Sequence, residues 1–211
     1  MRALAAGLAL ALAALLGGCG NLVQSDAALF AKADTRGAPV FRRGLWIGDD
    51  PDCKVDERLP REAWPGCAAA WVMTSRGLAS AFDEDKEMHL LLAAGDPAII
   101  QIEPPEREEG PFGYWALAVT AADRRGRATA FSAWPVLCGP PDGADAPVSA
   151  AQAREGAQPY ASVTRHPLPG LEVRGANCFA ARAATVRDAA RASRAWTPFP
   201  MDAHWVRDGE R

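Results

Sequence analysis

Residues 114–138 read YWALAVTAADRRGRATAFSAWPVLC and carry the strongest β-hairpin signal in the chain. Two apolar segments, residues 114–122 and 127–138, flank the polar connection DRRG at residues 123–126, whose glycine suits a position that requires a left-handed backbone. In the first segment, large apolar side chains occur at every second position, a spacing that predicts a half-buried antiparallel strand. These side chains are Trp115, Leu117 and Val119.

Further strands are predicted on both sides of this hairpin, from short apolar runs bounded by turn residues. Residues 88–93 and 98–103 flank Gly95-Asp96-Pro97, whose dipeptides favour a turn, and therefore predict a second hairpin. A long loop rich in Pro, Gly, Asp and Ala is expected at residues 139–159. The other predicted strands span residues 40–48, 68–75, 161–165 and 171–174.

One α-helix is predicted near the end of the chain, over residues 178–195. Asn177 is at the position of an N-cap, and Pro198 and Pro200 follow the predicted end. Positions i, i+4, i+7 and i+11 form one apolar stripe, which consists of Phe179, Ala183, Val186 and Ala190. The order of elements predicts a mainly β fold, either an antiparallel barrel or a sandwich built from hairpins, with this helix packed on it.

The N-terminus has the layout of a secretory signal peptide. Met1 and Arg2 precede fourteen residues, 3–16, that are only Ala, Leu and Gly. This run is too short to span a bilayer, which needs about 20 residues. The residues that follow, Leu16-Gly17-Gly18-Cys19, resemble the lipobox of bacterial lipoproteins.

The resemblance to lipoproteins implies that residues 1–18 are a signal peptide, cleaved immediately before Cys19. It also implies that the sulfur of Cys19 receives a diacylglycerol and that the new amino terminus is acylated. More than one acyl chain gives lasting attachment to a membrane where a single chain would be marginal. Gly20, in place of an aspartate, is associated in this family with sorting to the outer membrane of Gram-negative cells, which makes retention in the inner membrane the less expected outcome.

The mature chain is expected to be one domain behind a linker. Residues 19–39 are polar and irregular and are interpreted as the lipidated N-terminus and a tether. Residues 40–211 suffice for a single β-rich globular domain with its own core.

The charge of the chain argues against a nucleic-acid partner. The formal net charge is −3, and it becomes −4 on cleavage because Arg2 is the one charged residue of the signal peptide. Nothing therefore supplies a net field that would neutralise phosphates. The membrane, through the lipid anchor, is the expected partner.

Four cysteines follow Cys19, an even number that suits disulfides in an exported protein. They allow three pairings. The favoured pairing joins Cys53 to Cys67, which closes a short excursion between two strands, and Cys138 to Cys178, which ties a strand end to the start of the predicted helix. The absence of a C-x-x-C pair removes the usual support for a redox motif or a zinc ribbon.

Three histidines, His89, His166 and His204, are the first candidates for catalysis. None lies in a metal-binding or nucleophile motif. Ser80 lies nine residues before His89 and could meet it across a hairpin, with Asp83 or Asp85 as the orienting group. A surface serine and a partly buried histidine explain the same residues, so we expect neither an enzyme active site nor a cofactor.

Two acidic clusters are candidates for calcium binding, which requires six to eight oxygen ligands. The second cluster spans residues 83–87 and is interrupted by Lys86, and neither cluster matches an EF-hand loop. We therefore favour solvated acidic surfaces over a metal site. The first cluster consists of Asp49, Asp50, Asp52 and Asp56.

A cationic stripe lies beside the apolar stripe of the predicted helix and consists of Arg187, Arg191 and Arg194. These side chains could contact lipid headgroups or lipopolysaccharide phosphates. Arginines near the carboxyl end of a helix also oppose its dipole favourably and need no external partner. We favour the second interpretation.

Seven tryptophans, at positions 46, 64, 71, 115, 134, 196 and 205, either fill a core or line a ligand cavity. Gly44-Leu45-Trp46 resembles the G-x-W motif on the first strand of lipocalins, a family with bacterial lipid-anchored members and a helix after its strands. The resemblance implies an eight-stranded calyx for a small apolar ligand, with Trp46 closing its base.

The sequence as a whole predicts a lipid-anchored envelope protein. Its domain is expected to bind another envelope component, or to have an accessory structural role, without catalysis. The alternatives are a lipocalin-like carrier of a small apolar ligand and, with the least support, a hydrolase.

Overall fold

The computed structural model describes residues 20–74, 77–80, 87–104, 110–141, 162–197 and 200–209. The predicted signal peptide, Cys19, residues 81–86 and most of the loop predicted at 139–159 lie outside the described residues. The described strands are β1 (Val23–Ser25), β2 (Gly44–Gly48), β3 (Ala70–Met73), β4 (Gly77–Ser80), β5 (Glu87–Ala93), β6 (Ala98–Ile102), β7 (Phe112–Ala122), β8 (Ala128–Pro135), β9 (Leu171–Arg174), β10 (Asn177–Ala180) and β11 (Met201–Arg207). The described helices are α1 (Ala183–Ser193) and short 3₁₀ turns at Lys32–Thr35, Arg61–Ala63 and Arg194–Trp196.

Eight of the described strands close into an antiparallel barrel. From β2 to β8 each strand pairs with the next one along the chain, and β11 fills the gap between β8 and β2. Ala203 of β11 shows this closure directly, because it pairs with Phe131 of β8 on one side and with Gly48 of β2 on the other. The prediction of a mainly β fold with one C-terminal α-helix is confirmed, and the closed sheet decides for the barrel over the sandwich.

Alternate residues of the strands point into the barrel. Trp46 of β2 and Leu117 of β7 belong to one apolar cluster, which draws residues from strands all around the barrel and therefore lies inside it. Trp115 packs against this interior cluster, whereas Tyr114 and Ala116 belong to a second cluster beneath α1. The two-residue spacing predicted for this strand is confirmed for Trp115 and Leu117, whereas Val119 is 39 % exposed. The outer face of β7 is also buried, by α1 and the N-terminal segment.

The N-terminal segment, expected to be a tether, is built into the domain. β1 pairs with both β7 and β10, and Asn21, Val23 and Phe30 are only 0, 1 and 2 % exposed. The apolar residues within this otherwise polar stretch explain the difference, because Val23 and Phe30 fill the cluster beneath α1. The expectation of a linker over residues 19–39 is wrong for its described part, and the domain begins near residue 20 rather than at residue 40.

The helix is shorter than predicted, because α1 begins at Ala183 with Arg182 as its N-cap. Asn177 is the first residue of β10 instead, since β10 pairs with β1 and β9 and its backbone hydrogen bonds go to the sheet. Phe179 therefore lies on a strand, whereas Val186 of the predicted stripe is fully buried. Within the described ranges, no helix has the length and the apolar character needed to cross a membrane.

The short strands near the predicted long loop are only partly as expected. β9 confirms the strand predicted at 171–174. Residues 162–165 form no strand, because the backbone N–H of Thr164 donates to the side chain of Asn21 instead of to a neighbouring strand. The strands β1, β4, β10 and β11 were not predicted.

Both disulfides join the cysteines that the sequence analysis favoured. The Cα atoms of Cys53 and Cys67 are 5.8 Å apart, and those of Cys138 and Cys178 are 5.9 Å apart. The first bridge closes the loop between β2 and β3. The second ties the end of β8 to β10, a strand rather than the predicted helix start.

Candidate functional site

The barrel interior is the main candidate site, and aromatic rings fill the end at which β2 begins. The ring of Trp46 lies 5.6 Å from that of Phe41 and 5.4 Å from that of Phe131, measured between centroids. The indole N–H of Trp46 donates to the carbonyl oxygen of Arg42 at 2.9 Å, and Trp46 is 0 % exposed. These rings plug one end of the barrel, an arrangement compatible with the base of a calyx and equally with a solid core.

Other interior side chains are only partly buried. Trp71, Ile100 and Trp115 all pack against the interior cluster without being fully covered. Trp71 pairs with Trp46 in the β2–β3 register, and its ring centroid lies 6.4 Å from that of Phe131, so it borders the aromatic plug. The interior is thus closed near Trp46 and less completely covered near Trp115.

Trp71 also carries an unsatisfied donor. Its indole N–H is buried and has no hydrogen-bond acceptor among the described residues. Buried indole N–H groups usually have a partner, and an unsatisfied buried group costs about 1–3 kcal/mol. Chemically, the interior offers an aromatic and aliphatic lining with one donor beside the aromatic plug, which suits a small apolar molecule that carries an oxygen acceptor.

A second cluster of polar side chains surrounds His204 on the outside of β11. Its Nδ1 lies 2.6 Å from Oδ1 of Asp49 and its Nε2 lies 2.9 Å from Oε1 of Glu57. Burial lowers the pKa of His204, but the hydrogen bonds to Glu57 and Asp49 and the attraction of both carboxylates outweigh it and raise the pKa above its ordinary value. The cluster therefore favours a charged imidazole between two carboxylates.

This cluster fastens the loop between β2 and β3, named the disulfide loop because the Cys53–Cys67 bridge closes it, to the barrel. Arg207, on the same strand as His204, donates from Nη1 to the carbonyl oxygens of Glu57 and Leu59. Its guanidinium also lies 5.6 Å from the ring centroid of Trp64, which packs in the cluster over β2 and β3. His204 and Arg207 thus have a structural role that sequence reasoning missed, since their partners are about 150 residues away in the chain.

The structure gives no support to the proposed serine and histidine pair. His89 is exposed, and the backbone register pairs it with Gly77, three residues before Ser80, so the two positions do not face each other. The side chain of Ser80, together with Asp83 and Asp85, lies outside what the structure describes.

The first acidic cluster is divided among separate contacts. Asp49 binds His204, while carboxylate oxygens of Asp50 and Asp56 accept the backbone N–H groups two residues further on. Among the described residues, no three side chains of His, Cys, Asp or Glu are grouped as they would be around a metal ion. Residues 83–86 of the second cluster lie outside the described ranges.

Two of the three arginines of the predicted cationic stripe hold α1 against the barrel, and the third lies in the 3₁₀ turn after α1. Arg187 donates to the carbonyl oxygen of Ala94 at 2.6 Å and Arg191 to that of Asp96 at 3.3 Å, both in the β5–β6 turn. Arg194 donates to the carbonyl oxygen of Thr197 at 2.9 Å. These contacts support the interpretation that the arginines need no external partner.

Two buried amides hold the N-terminal segment. Oε1 of Gln101 accepts the backbone N–H groups of Leu29 and Phe30, and its Nε2 donates to the carbonyl oxygen of Phe30. The side chain of Asn21 donates to the carbonyl oxygen of Gly139 and accepts the N–H of Thr164. The one sequence signal for this role is a glutamine among the apolar residues of β6.

Together these features define a class: a closed eight-stranded antiparallel barrel, braced by two disulfides and wrapped by its own N-terminal segment, helix and loop. No family model matches the chain, and neither a curated protein nor a solved structure matches it.

Proposed function

We propose that this chain is a lipoprotein of the Gram-negative outer membrane, anchored through Cys19. Its barrel is a non-catalytic module that binds another envelope component or has an accessory structural role. The observation that carries the proposal is the lipobox-like motif Leu16-Gly17-Gly18-Cys19, one residue before the folded domain. The two disulfides add support, since disulfides persist in exported proteins and are rare in the cytoplasm.

The engagement of the reactive side chains favours a module without catalysis. His204 binds two carboxylates that fasten a loop, and the arginines of α1 bind backbone carbonyls. His89 and His166 are exposed at the surface. A binding or structural role requires none of these groups to be free.

Metabolic labelling with a clickable fatty acid tests the anchor. The wild-type chain should be labelled and Cys19→Ala should not, because it lacks the acceptor sulfur. A double variant, Cys53→Ser with Cys67→Ser, is the matched control and should keep the label. Persistent labelling of Cys19→Ala would refute the anchor.

A second candidate, a carrier of a small apolar ligand, is favoured by one observation, the buried indole N–H of Trp71 without an acceptor. An oxygen atom of a ligand at that position would satisfy the donor, and the apolar lining around Trp115 and Ile100 would bind the rest of the molecule.

The polyene fatty acid cis-parinaric acid is a suitable probe for this candidate, since its fluorescence rises in apolar sites and its carboxyl group is an acceptor. Trp71→Phe keeps an aromatic ring but removes the N–H, so binding should weaken roughly 2- to 10-fold, the equivalent of about 0.5–1.5 kcal/mol. Trp205→Phe is the control, because the N–H of Trp205 already donates to the carbonyl oxygen of Arg43. Absence of saturable binding to the wild-type protein would refute the carrier.

A further inference from the structure

The start of the folded domain restricts how the protein can sit on its membrane. Asn21 is fully buried, and only Gly20 lies between it and Cys19. Consecutive Cα atoms are 3.8 Å apart, so the Cα atoms of Cys19 and Asn21 are separated by at most about 7.6 Å. The lipids on Cys19 must reach the hydrocarbon layer, and no linker remains to lift the domain away from it.

The N-terminal segment cannot supply a linker by detaching, because it is held at several independent points. The backbone carbonyl oxygen of Asn21 accepts the N–H of Cys138, in addition to the two bonds of its side chain. Leu22 pairs with Leu137, and β1 is hydrogen-bonded on both edges. Gln101 then fixes the backbone at Leu29 and Phe30.

We infer that the domain rests directly on the leaflet that holds the lipids of Cys19, with the surface around Asn21 against the phospholipid headgroups. This inference rests on the proposed lipid anchor. It makes the surface around Asn21, named here the anchor face, a lipid-binding surface and gives the domain a fixed orientation. The exposed or half-buried members of the anchor face adjoin the residues that contact Asn21 and Leu22, and they are Pro140, Arg165, His166 and Trp196.

The chemistry of the anchor face suits a headgroup layer. Trp196 packs on Leu22 and Leu137 while remaining partly exposed, and tryptophan is enriched where membranes meet water. Arg165 is exposed on the same face, beside Thr164, which is hydrogen-bonded to Asn21.

The β7–β8 turn marks the opposite end of the domain. β8 has eight residues, which span roughly 25 Å, and it runs from this turn to Pro135, three residues before the contact of Cys138 with Asn21. Trp205 lies at the turn end, since its N–H binds Arg43 and the neighbouring Arg42 pairs with Ala128 at the start of β8. The orientation therefore places Trp196 near the headgroups and Trp205 far from them.

Tryptophan quenching in vesicles tests this orientation with the full lipidated chain. The protein is reconstituted into phosphatidylethanolamine and phosphatidylglycerol vesicles that contain a phospholipid with a headgroup nitroxide. Most of the quenched signal should be lost in Trp196→Phe and retained in Trp205→Phe. A flexible Gly-Ser linker inserted between Gly20 and Asn21 should abolish quenching without releasing the protein from the vesicles.

Flotation of the vesicles separates the two ways of failing. If the protein floats but Trp196→Phe and Trp205→Phe are quenched alike, or the linker changes nothing, the orientation is wrong and the anchor stands. If the wild-type protein does not float with the vesicles, or Cys19→Ala floats equally, the anchor itself fails and the orientation fails with it.

Discussion

Nδ1 of His204 lies 2.6 Å from Oδ1 of Asp49, although 155 positions of sequence separate the two residues. The contact, with its counterpart from Glu57, fastens the disulfide loop to the strand that closes the barrel. The stability of the fold is consequently linked to the protonation of one imidazole.

His204 should stabilise the protein more at low pH than at high pH. Its pKa is raised in the folded state, because its hydrogen bonds to Glu57 and Asp49 outweigh the effect of burial. The stabilisation is therefore fully present below the unfolded pKa of about 6.5 and is lost as the pH rises through the folded pKa. His204→Gln should lower the Tm more at pH 5.5 than at pH 8.5, as measured by circular dichroism.

The exposed His89 provides a control for the loss of an imidazole. His89→Gln should change the Tm only slightly. If His204→Gln lowers the Tm equally at pH 5.5 and pH 8.5, or more at pH 8.5, the charged contacts of His204 with Asp49 and Glu57 do not stabilise the fold as stated.

Loss of the Gln101 amide should loosen the N-terminal segment selectively. Gln101→Leu leaves two backbone N–H groups and one carbonyl oxygen without their partner, at a cost of about 1–3 kcal/mol for each buried group left unpaired. Limited trypsin digestion should then cleave faster after the exposed Lys32. Cleavage after the exposed Arg125 in the β7–β8 turn is the internal control, and equal acceleration at both sites would show general unfolding instead.

The two disulfides should differ in their resistance to reduction. Cys138 and Cys178 are fully buried, whereas Cys67 is exposed. Mild dithiothreitol should reduce the Cys53–Cys67 bridge first, as followed by alkylation and mass spectrometry of peptides. Reduction of the Cys138–Cys178 bridge first, or of both together, would contradict the burial that the structure assigns to them.

The arginines of α1 should matter for stability and not for membrane attachment. Arg187→Gln loses the hydrogen bond to the carbonyl oxygen of Ala94 and the contact with the ring of Phe30. The free energy of unfolding, measured in urea, should therefore fall by roughly 1–2 kcal/mol. Arg182→Gln, an exposed neighbour, is the control. Reduced flotation of Arg187→Gln with vesicles, at unchanged stability, would favour the headgroup interpretation instead.

Local sequence patterns predicted the strands, turns and short loops whose residues interact with near neighbours in the chain. The alternation from Tyr114 to Leu117 predicted the two faces of β7 because one residue in two faces the interior, and the turn at Gly126 predicted the position of its partner strand. The pairing of Cys53 with Cys67 followed from the short loop between two strands.

Long-range pairing decided what the sequence could not predict. β1 has three residues, and its burial depends on edges offered by β7 and β10, so the few apolar residues near Val23 do not by themselves predict a strand. Asn177 has a side chain suited to an N-cap, but its backbone pairs with Arg174 of β9 in the sheet. The burial of the Trp71 indole N–H and the contacts of His204 with Asp49 and Glu57 likewise form only when distant segments of the chain meet.

The central claim is the lipid on Cys19, and mass spectrometry of the protein purified from membranes tests it most directly. The N-terminal tryptic peptide should begin at Cys19, end at Lys32 and carry the added mass of a diacylglycerol, with or without a further acyl chain on the amino group. A peptide that begins elsewhere, or one that begins at Cys19 with an unmodified sulfur, would contradict the account.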